Sequence, residues 1–140
     1  MKLAFDTIVA RGNRLVTAKH VSTFEVTKEN FLSEKGDCII AISADKSASE
    51  LSQDLKSLLK DSSIVIIILK SGGEYDVVIA KGSPMLTLSD DTSLVVRRST
   101  YIDGRTIAIE ADKAAKDINR ELIGRLKKGE LLEMIIVAVK

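Results

Sequence analysis

One seven-residue pattern occurs twice, and it constrains the fold more than any other feature of the chain. Ile40-Ala41-Ile42-Ser43-Ala44-Asp45-Lys46 returns sixty-seven positions later as Ile107-Ala108-Ile109-Glu110-Ala111-Asp112-Lys113. In each copy a short apolar run reaches Ala-Asp-Lys and gives way to an amphipathic helical pattern. Aligned without gaps, residues 36–60 and 103–127 agree at ten positions. The agreement reaches further: Ala10-Arg11-Gly12-Asn13 resembles Ala80-Lys81-Gly82-Ser83, and an all-apolar run follows each helical pattern. The chain therefore reads as an internal duplication, with copies over approximately 1–71 and 72–140. A unit of that size with one helix leaves much of its sheet bare, whereas two units bury those faces against each other. The expected fold is a single compact α+β domain over residues 1–140, with two helices on a mixed, largely antiparallel sheet of eight or nine strands. Each strand–helix–strand unit is expected to make a right-handed crossover.

Local patterns place the elements. Residues 3–10 read as a first strand, closed by turn chemistry at Arg11-Gly12-Asn13. Phe24 and Val26 share one face of a second strand that starts near His20. A polar connection over 28–37 leads to a third strand over 38–43. Ala48, Leu51, Leu55, Leu58 and Leu59 then fall at helical spacing. Asp45 is a candidate N-cap, and Ser47 with Glu50 offers a capping box two residues on. The second helical pattern carries Ala115, Ile118, Leu122 and Leu126, with Asp112 as its candidate cap and Lys127-Lys128-Gly129 as its end. Gly124 inside it suggests close packing. Residues 64–69 and 134–139 are uniformly apolar, which predicts strands buried on both faces. Ser71-Gly72-Gly73-Glu74 and Asp103-Gly104 read as hairpin turns, with a short strand at Met85, Leu86 and Leu88 between them.

A chain of 140 residues buries about two-thirds of its unfolded surface and needs no disulfide or metal to fold. With aromatics at 4%, the core must be aliphatic. A net charge of +1 argues against a protein built to coat nucleic acid or an anionic membrane, and leaves room for a local basic patch. Cys38 is the single cysteine, so no internal disulfide and no cysteine-based zinc cluster is expected. The longest apolar runs are six residues, against about twenty for a membrane span. With no signal-peptide pattern either, a cytoplasmic protein is expected.

The twin Asp-Lys pairs are the first place to look for a site. Asp45 and Asp112 have a structural reason as helix caps. Lys46 and Lys113 do not, because a first-turn cation opposes the helix dipole. A helix N-terminus with a lysine beside it holds a phosphate or carboxylate well. The bland account is that duplication copied both residues, or that each lysine pairs with a nearby carboxylate. His20 is the only histidine. No nucleophile elbow, Walker loop or ligand-spaced metal motif accompanies it. Cys38 opens a strand and reads as an inert thiol. The basic groups Arg11, Arg14, Lys19 and His20, Arg97 with Arg98, and Lys127 with Lys128 could form a phosphate-contacting face, although solvated charge is the simpler reading.

Two stretches carry a wider resemblance. Lys35-Gly36-Asp37-Cys38-Ile39-Ile40-Ala41-Ile42-Ser43-Ala44-Asp45-Lys46, and residues 101–115 from Tyr101-Ile102-Asp103-Gly104-Arg105 onward, resemble the two signatures of the archaeal family catalogued as domain of unknown function 371. The Ala80-Lys81-Gly82-Ser83-Pro84 stretch fits as well. The resemblance spans nearly the whole chain. It implies an archaeal, cytosolic protein and brings no activity, cofactor or catalytic residue with it.

Two functional expectations follow. The first is a binding module for a small anionic ligand or nucleic-acid phosphate, using Lys46, Lys113, Arg105 and the helix N-termini. The second is a metal-independent enzyme whose Asp45, Asp112 and Asp103 supply acid–base groups where the copies meet, with Lys46 and Lys113 as electrostatic partners and His20 as proton carrier. No cofactor is expected. Exposed edges of a duplicated sheet would admit a homodimer.

Overall fold

Among the described residues the apolar runs become eight strands and the two helical patterns become two short helices. In chain order these are β1 (Leu3–Arg11), β2 (Thr23–Thr27), β3 (Ile39–Ala41), α1 (Gln53–Leu59), β4 (Ile64–Ser71), β5 (Glu74–Lys81), β6 (Ser93–Arg97), β7 (Thr106–Ala108), α2 (Arg120–Lys127) and β8 (Leu131–Val139). The computed structural model describes residues 1–33 and 35–140; Glu34, inside the polar connection, lies outside the described residues. No described helix is long and apolar enough to cross a membrane.

The strands form two four-stranded sheets, where the sequence suggested one continuous sheet. Sheet A is antiparallel throughout, in the order β1-β8-β4-β5. Sheet B runs β3-β2-β6-β7, with β2 and β6 antiparallel at its centre and a parallel strand on each flank. The sheets meet at two corners, through isolated bridges Arg11↔Ile42 and Lys81↔Ile109. Exchanging β1 with β5, β4 with β8, β2 with β6 and β3 with β7 leaves both strand orders unchanged. One contiguous aliphatic core fills the interior, with Ile8, Ile67 and Ile136 from sheet A, Phe24 and Leu94 from sheet B, and Leu55, Leu59, Leu122 and Leu126 from the helices. These side chains are almost wholly removed from solvent, and their burial is the main favourable term.

Several local expectations give way, each for a physical reason. The Asp-Lys motifs do not start helices. Each motif leads into a one-turn 3-10 segment, Ala48–Glu50 or Ala115–Asp117, and the α-helix begins after a further break. Ser52 and Asn119 cap α1 and α2. Asp45 and Asp112 are therefore not the caps. The Ser47–Glu50 pairing does form, with Glu50 Oε1 accepting from Ser47 N at 3.1 Å and Ser47 Oγ at 2.8 Å. Because β3 and β4 belong to different sheets, no strand–helix–strand crossover arises. The Gly72-Gly73 turn joins β4 to β5 as a hairpin, with Ser71 facing Glu74. Asp103-Gly104 makes no hairpin, since β6 and β7 are parallel. The stretch at Met85 to Leu88 is not a strand, because Leu88 takes a left-handed φ of 49°. The run in β4 is buried on one face only. Val65, Ile67 and Leu69 are inaccessible while Ile64 is 56% exposed.

The helices close the ends of the space between the sheets, and they do so crosswise. Gly12, just after β1, lies against the carbonyl of Leu126 at the end of α2. Gly82, just after β5, lies against the carbonyl of Leu59 at the end of α1. A Cβ at either glycine would fall inside the van der Waals shell of that carbonyl oxygen, so backbone would have to move. Gly124 differs: nothing approaches a Cβ built there within 4 Å. Gly12→Ala is expected to cost about 3 kcal/mol or more, by overpacking against backbone. Gly124→Ala should instead stabilise by up to about 1 kcal/mol, through helix propensity alone. Urea denaturation of the two variants checks both signs.

Candidate functional site

The outermost strands of sheet A explain the Asp-Lys motifs. An edge strand points alternate N–H and C=O groups away from its sheet, and each needs a partner. On β1 that row is filled by one short piece of chain. Arg11 exchanges both backbone bonds with Ile42, at 2.7 Å each. Val9 O accepts from Asp45 N at 3.0 Å, and Asp45 Oδ1 accepts from Val9 N at 3.0 Å. Thr7 O accepts from Lys46 Nζ at 3.1 Å. A left-handed Ser43, φ 53°, turns the chain out of β3 so that this alignment is reached. The other half does the same. Ile109 pairs with Lys81, Asp112 brackets Ile79, and Lys113 Nζ donates to Val77 O at 2.9 Å; Glu110 supplies the left-handed residue.

Each lysine also meets a carboxylate that no local sequence pattern marks. Lys46 Nζ lies 2.6 Å from Asp6 Oδ1, and Lys113 Nζ 2.6 Å from Asp76 Oδ1. The second oxygen of each carboxylate accepts from the backbone where a helix begins, Ser52 N at 2.9 Å and Asn119 N at 2.8 Å. Burial by itself would push the Asp6 carboxyl up. Hydrogen bonds from Lys46, Ser52 and Thr7 outweigh it and hold the group below the usual carboxylate range, and Asp76 behaves alike. The available signal is an aspartate at the matching place among the apolar residues of each strand. Asp45-Lys46 and Asp112-Lys113 thus flank opposite edges of sheet A, five inter-strand spacings or about 24 Å apart. They share no pocket, and neither lies at an α-helix N-terminus.

Asp103 and Arg105 meet elsewhere, on the outer face of sheet B, while the His20 ring bonds within its own turn. Asp103 Oδ2 accepts from Arg105 Nη2 at 2.9 Å and Arg97 Nη2 at 3.0 Å. Arg105 Nη1 reaches Glu25 Oε1 at 3.3 Å, and Arg97 stacks on Tyr101, 4.8 Å from the ring centre. Cys38 Sγ approaches the same Glu25 oxygen at 3.7 Å. Burial, then the Glu25 charge, pushes the thiol up to about 11, so it is no ready nucleophile. His20 Nδ1 accepts from Thr23 N at 3.1 Å and Ser22 N at 3.2 Å, which makes it the cap of the turn entering β2. The cluster neutralises itself: two guanidiniums face two carboxylates, with Asp37 and Asp90 adding negative field. An added anion is repelled there.

Positive charge collects at another place. The Gly12–Leu126 contact joins two basic groups that are far apart in sequence. Arg11 and Arg14 belong to the turn after β1; Lys127 and Lys128 directly follow Leu126. All four are exposed, and none makes a salt bridge among the described residues. The matching corner at Gly82 is neutralised, with Lys81 near Glu110 at 3.8 Å and Asp61, at the position matching Lys128, holding Lys140 at 2.9 Å. Among the described residues no group of three His, Cys, Asp or Glu side chains forms a metal cage.

Two stability experiments follow. Lys46→Ala should cost about 1–2 kcal/mol, because it strips Thr7 O and the largely buried Asp6 of a donor. Chemical denaturation against wild type measures this. The second experiment varies pH. Burial would raise Asp103, but its bonds to Arg105 and the nearby Arg97 charge hold it at about 2. A carboxyl held lower in the folded than in the unfolded state stabilises the fold above its unfolded pKa, and that contribution disappears as pH falls through the folded value. Asp103→Asn should therefore cost about 2 kcal/mol at neutral pH. The gap to wild type should close between about pH 4 and pH 2, as melting curves at stepped pH will read.

Comparison with known proteins agrees with the resemblance carried by the Ala-Asp-Lys signatures. An uncharacterised protein of Methanocaldococcus jannaschii is 44% identical over 131 residues, covering 93% of this chain and 97% of that protein. The family described as Domain of unknown function (DUF371) matches residues 8–139. That span runs from inside β1 to the end of β8, and so takes in both edge-capping motifs. The chain belongs to the DUF371 family.

Proposed function

We propose that the protein is a non-catalytic binding module for phosphate-bearing ligands, and that the basic corner around Gly12 receives them. The observation that supports this is the meeting of Arg11, Arg14, Lys127 and Lys128 with no carboxylate partner among the described residues. A concentration of like charge without counter-charge raises the local concentration of anions. The corner at Gly82 carries no such excess, so the charge is not a by-product of the architecture. The twofold correspondence of elements supports reading the halves as duplicated copies, in which one corner kept its cations and the other acquired Glu110 and Asp61. The small charge of the whole chain suits a local contact of this kind.

The expected anion site at Lys46 and Lys113 is here moved to the Gly12 corner. Both lysines already hold a carboxylate and a backbone carbonyl. The enzyme reading draws no comparable support. It needs Asp45, Asp112 and Asp103 to converge, and they are distributed over two edges of sheet A and the outer face of sheet B.

Fluorescence anisotropy with a labelled single-stranded oligonucleotide, competed by inorganic pyrophosphate, tests the proposal. Arg14→Glu with Lys128→Glu should weaken binding by roughly tenfold or more and flatten its salt dependence. Competition by pyrophosphate separates a small-anion site from an extended phosphate track. Equal affinity of wild type and the double variant would remove the proposal.

A further inference from the structure

Sheet A has a second face, and nothing among the described residues covers it. Its inward face holds Ile8, Ile67 and Ile136, and both helices attach on that side, through Asp6 and Asp76. The outward face should then be polar, as on an ordinary half-exposed antiparallel sheet. It is apolar instead. Pairing places Phe5, Val137, Ile66 and Ile79 in one row across all four strands. The next row centres on the directly paired Ile135 and Ile68. Phe5 and Tyr75 are 62% and 65% exposed, and Leu3 and Ile64 exceed half.

Size separates this face from ordinary surface. Four strands about 4.8 Å apart and roughly 28 Å long cover on the order of 500 Å² in projection. Soluble monomers rarely expose contiguous apolar patches beyond a few hundred Å². With side-chain relief counted, such a footprint reaches the roughly 800 Å² per partner of a standard interface. The face is also the available route of association for this sheet, because the Asp-Lys motifs occupy both of its edges.

We propose that this face is a homodimer interface, in which sheet A of one copy stacks on sheet A of a second about a two-fold axis parallel to the central strands. Charge selects that axis. The only charged side chains on the central strands' outward face are Glu133 on β8 and Lys70 on β4, which are paired neighbours. A two-fold axis along the strands sets β8 over β4 of the second copy, in the same row. Each Glu133 then meets a Lys70, and each Ile68 meets an Ile135. An axis across the strands would bury both charges against Val137 and Ile66. Two antiparallel sheets pack face to face about 10 Å apart at a small angle, a spacing these aliphatic side chains fill.

Sedimentation equilibrium of wild type and variants tests the proposal. Wild type should be dimeric. Lys70→Glu alone sets four carboxylates together across the axis, and Glu133→Lys alone sets four ammonium groups there. Each should raise the dimer dissociation constant by about a hundredfold or more. Mixed together, the two single variants should form a heterodimer, since every facing pair is again of opposite sign. Pairing within one chain cannot produce that rescue, and circular dichroism checks that each variant is folded. Ile68→Lys should give a folded monomer. Monomeric wild type up to about 100 μM would overturn the proposal, as would dimers indifferent to Ile68→Lys or single variants that fail to rescue each other.

Discussion

The backbone of the two edge strands of sheet A must find hydrogen-bond partners, and the rest of the structure is arranged around that requirement. An unpaired edge invites association with another chain and leaves polar groups unsatisfied where they approach the core. Here the partner is a strand that stops early. β3 and β7 run alongside β2 and β6 for three residues each, then turn through Ser43 or Glu110 and continue along β1 or β5. The aspartate carboxylate replaces the carbonyl that a full strand would have offered, and the lysine ammonium replaces an N–H. One segment serves both sheets and fixes the corner between them.

That arrangement accounts for where the helices sit. Lys46 and Lys113 hold the carboxylates of Asp6 and Asp76, whose free oxygens receive the backbone at the entrance to α1 and α2. Each helix then crosses to the opposite half, where Gly82 or Gly12 lets the backbones touch. The halves are thus interlocked, with each contributing a lid to the shared core. Closed edges have a further effect. They leave the broad outward face of sheet A as the surface with most to gain from a partner, and its aliphatic content agrees.

Symmetry in the frame makes asymmetry informative. The edge-capping bonds recur in both halves almost distance for distance, as expected of scaffold. The polar cluster around Arg97, Arg105 and Glu25 does not recur, nor does the excess charge at Gly12. Arg105 occupies the place that Cys38 holds in the other half, and Lys128 the place of Asp61. The sheet B cluster is balanced in charge and well bonded, which suits a conformational lock. The Gly12 corner is neither, and so it carries the proposed contact with phosphate.

The sequence by itself determined the α+β class, the long strands, the Gly72-Gly73 hairpin and the twofold order of elements. Local spacing and turn chemistry encode these directly. It also marked Asp-Lys as unusual, because a cation in a first helical turn breaks a local rule. Tertiary structure alone decided why: the helix begins later, and each pair serves a strand 33 to 40 residues away in the chain. Asp6 and Asp76 were visible as residues but not as partners, since nothing local ties a strand carboxylate to a distant lysine. The division into two sheets depended on where β3 and β7 turn, which a left-handed serine or glutamate does not advertise. The join between Arg14 and Lys128 rests on one contact between Gly12 and Leu126, made across the whole length of the chain. Periodicity reports which face of an element is apolar; only packing decides what that face meets, and on the outer side of sheet A it meets nothing among the described residues.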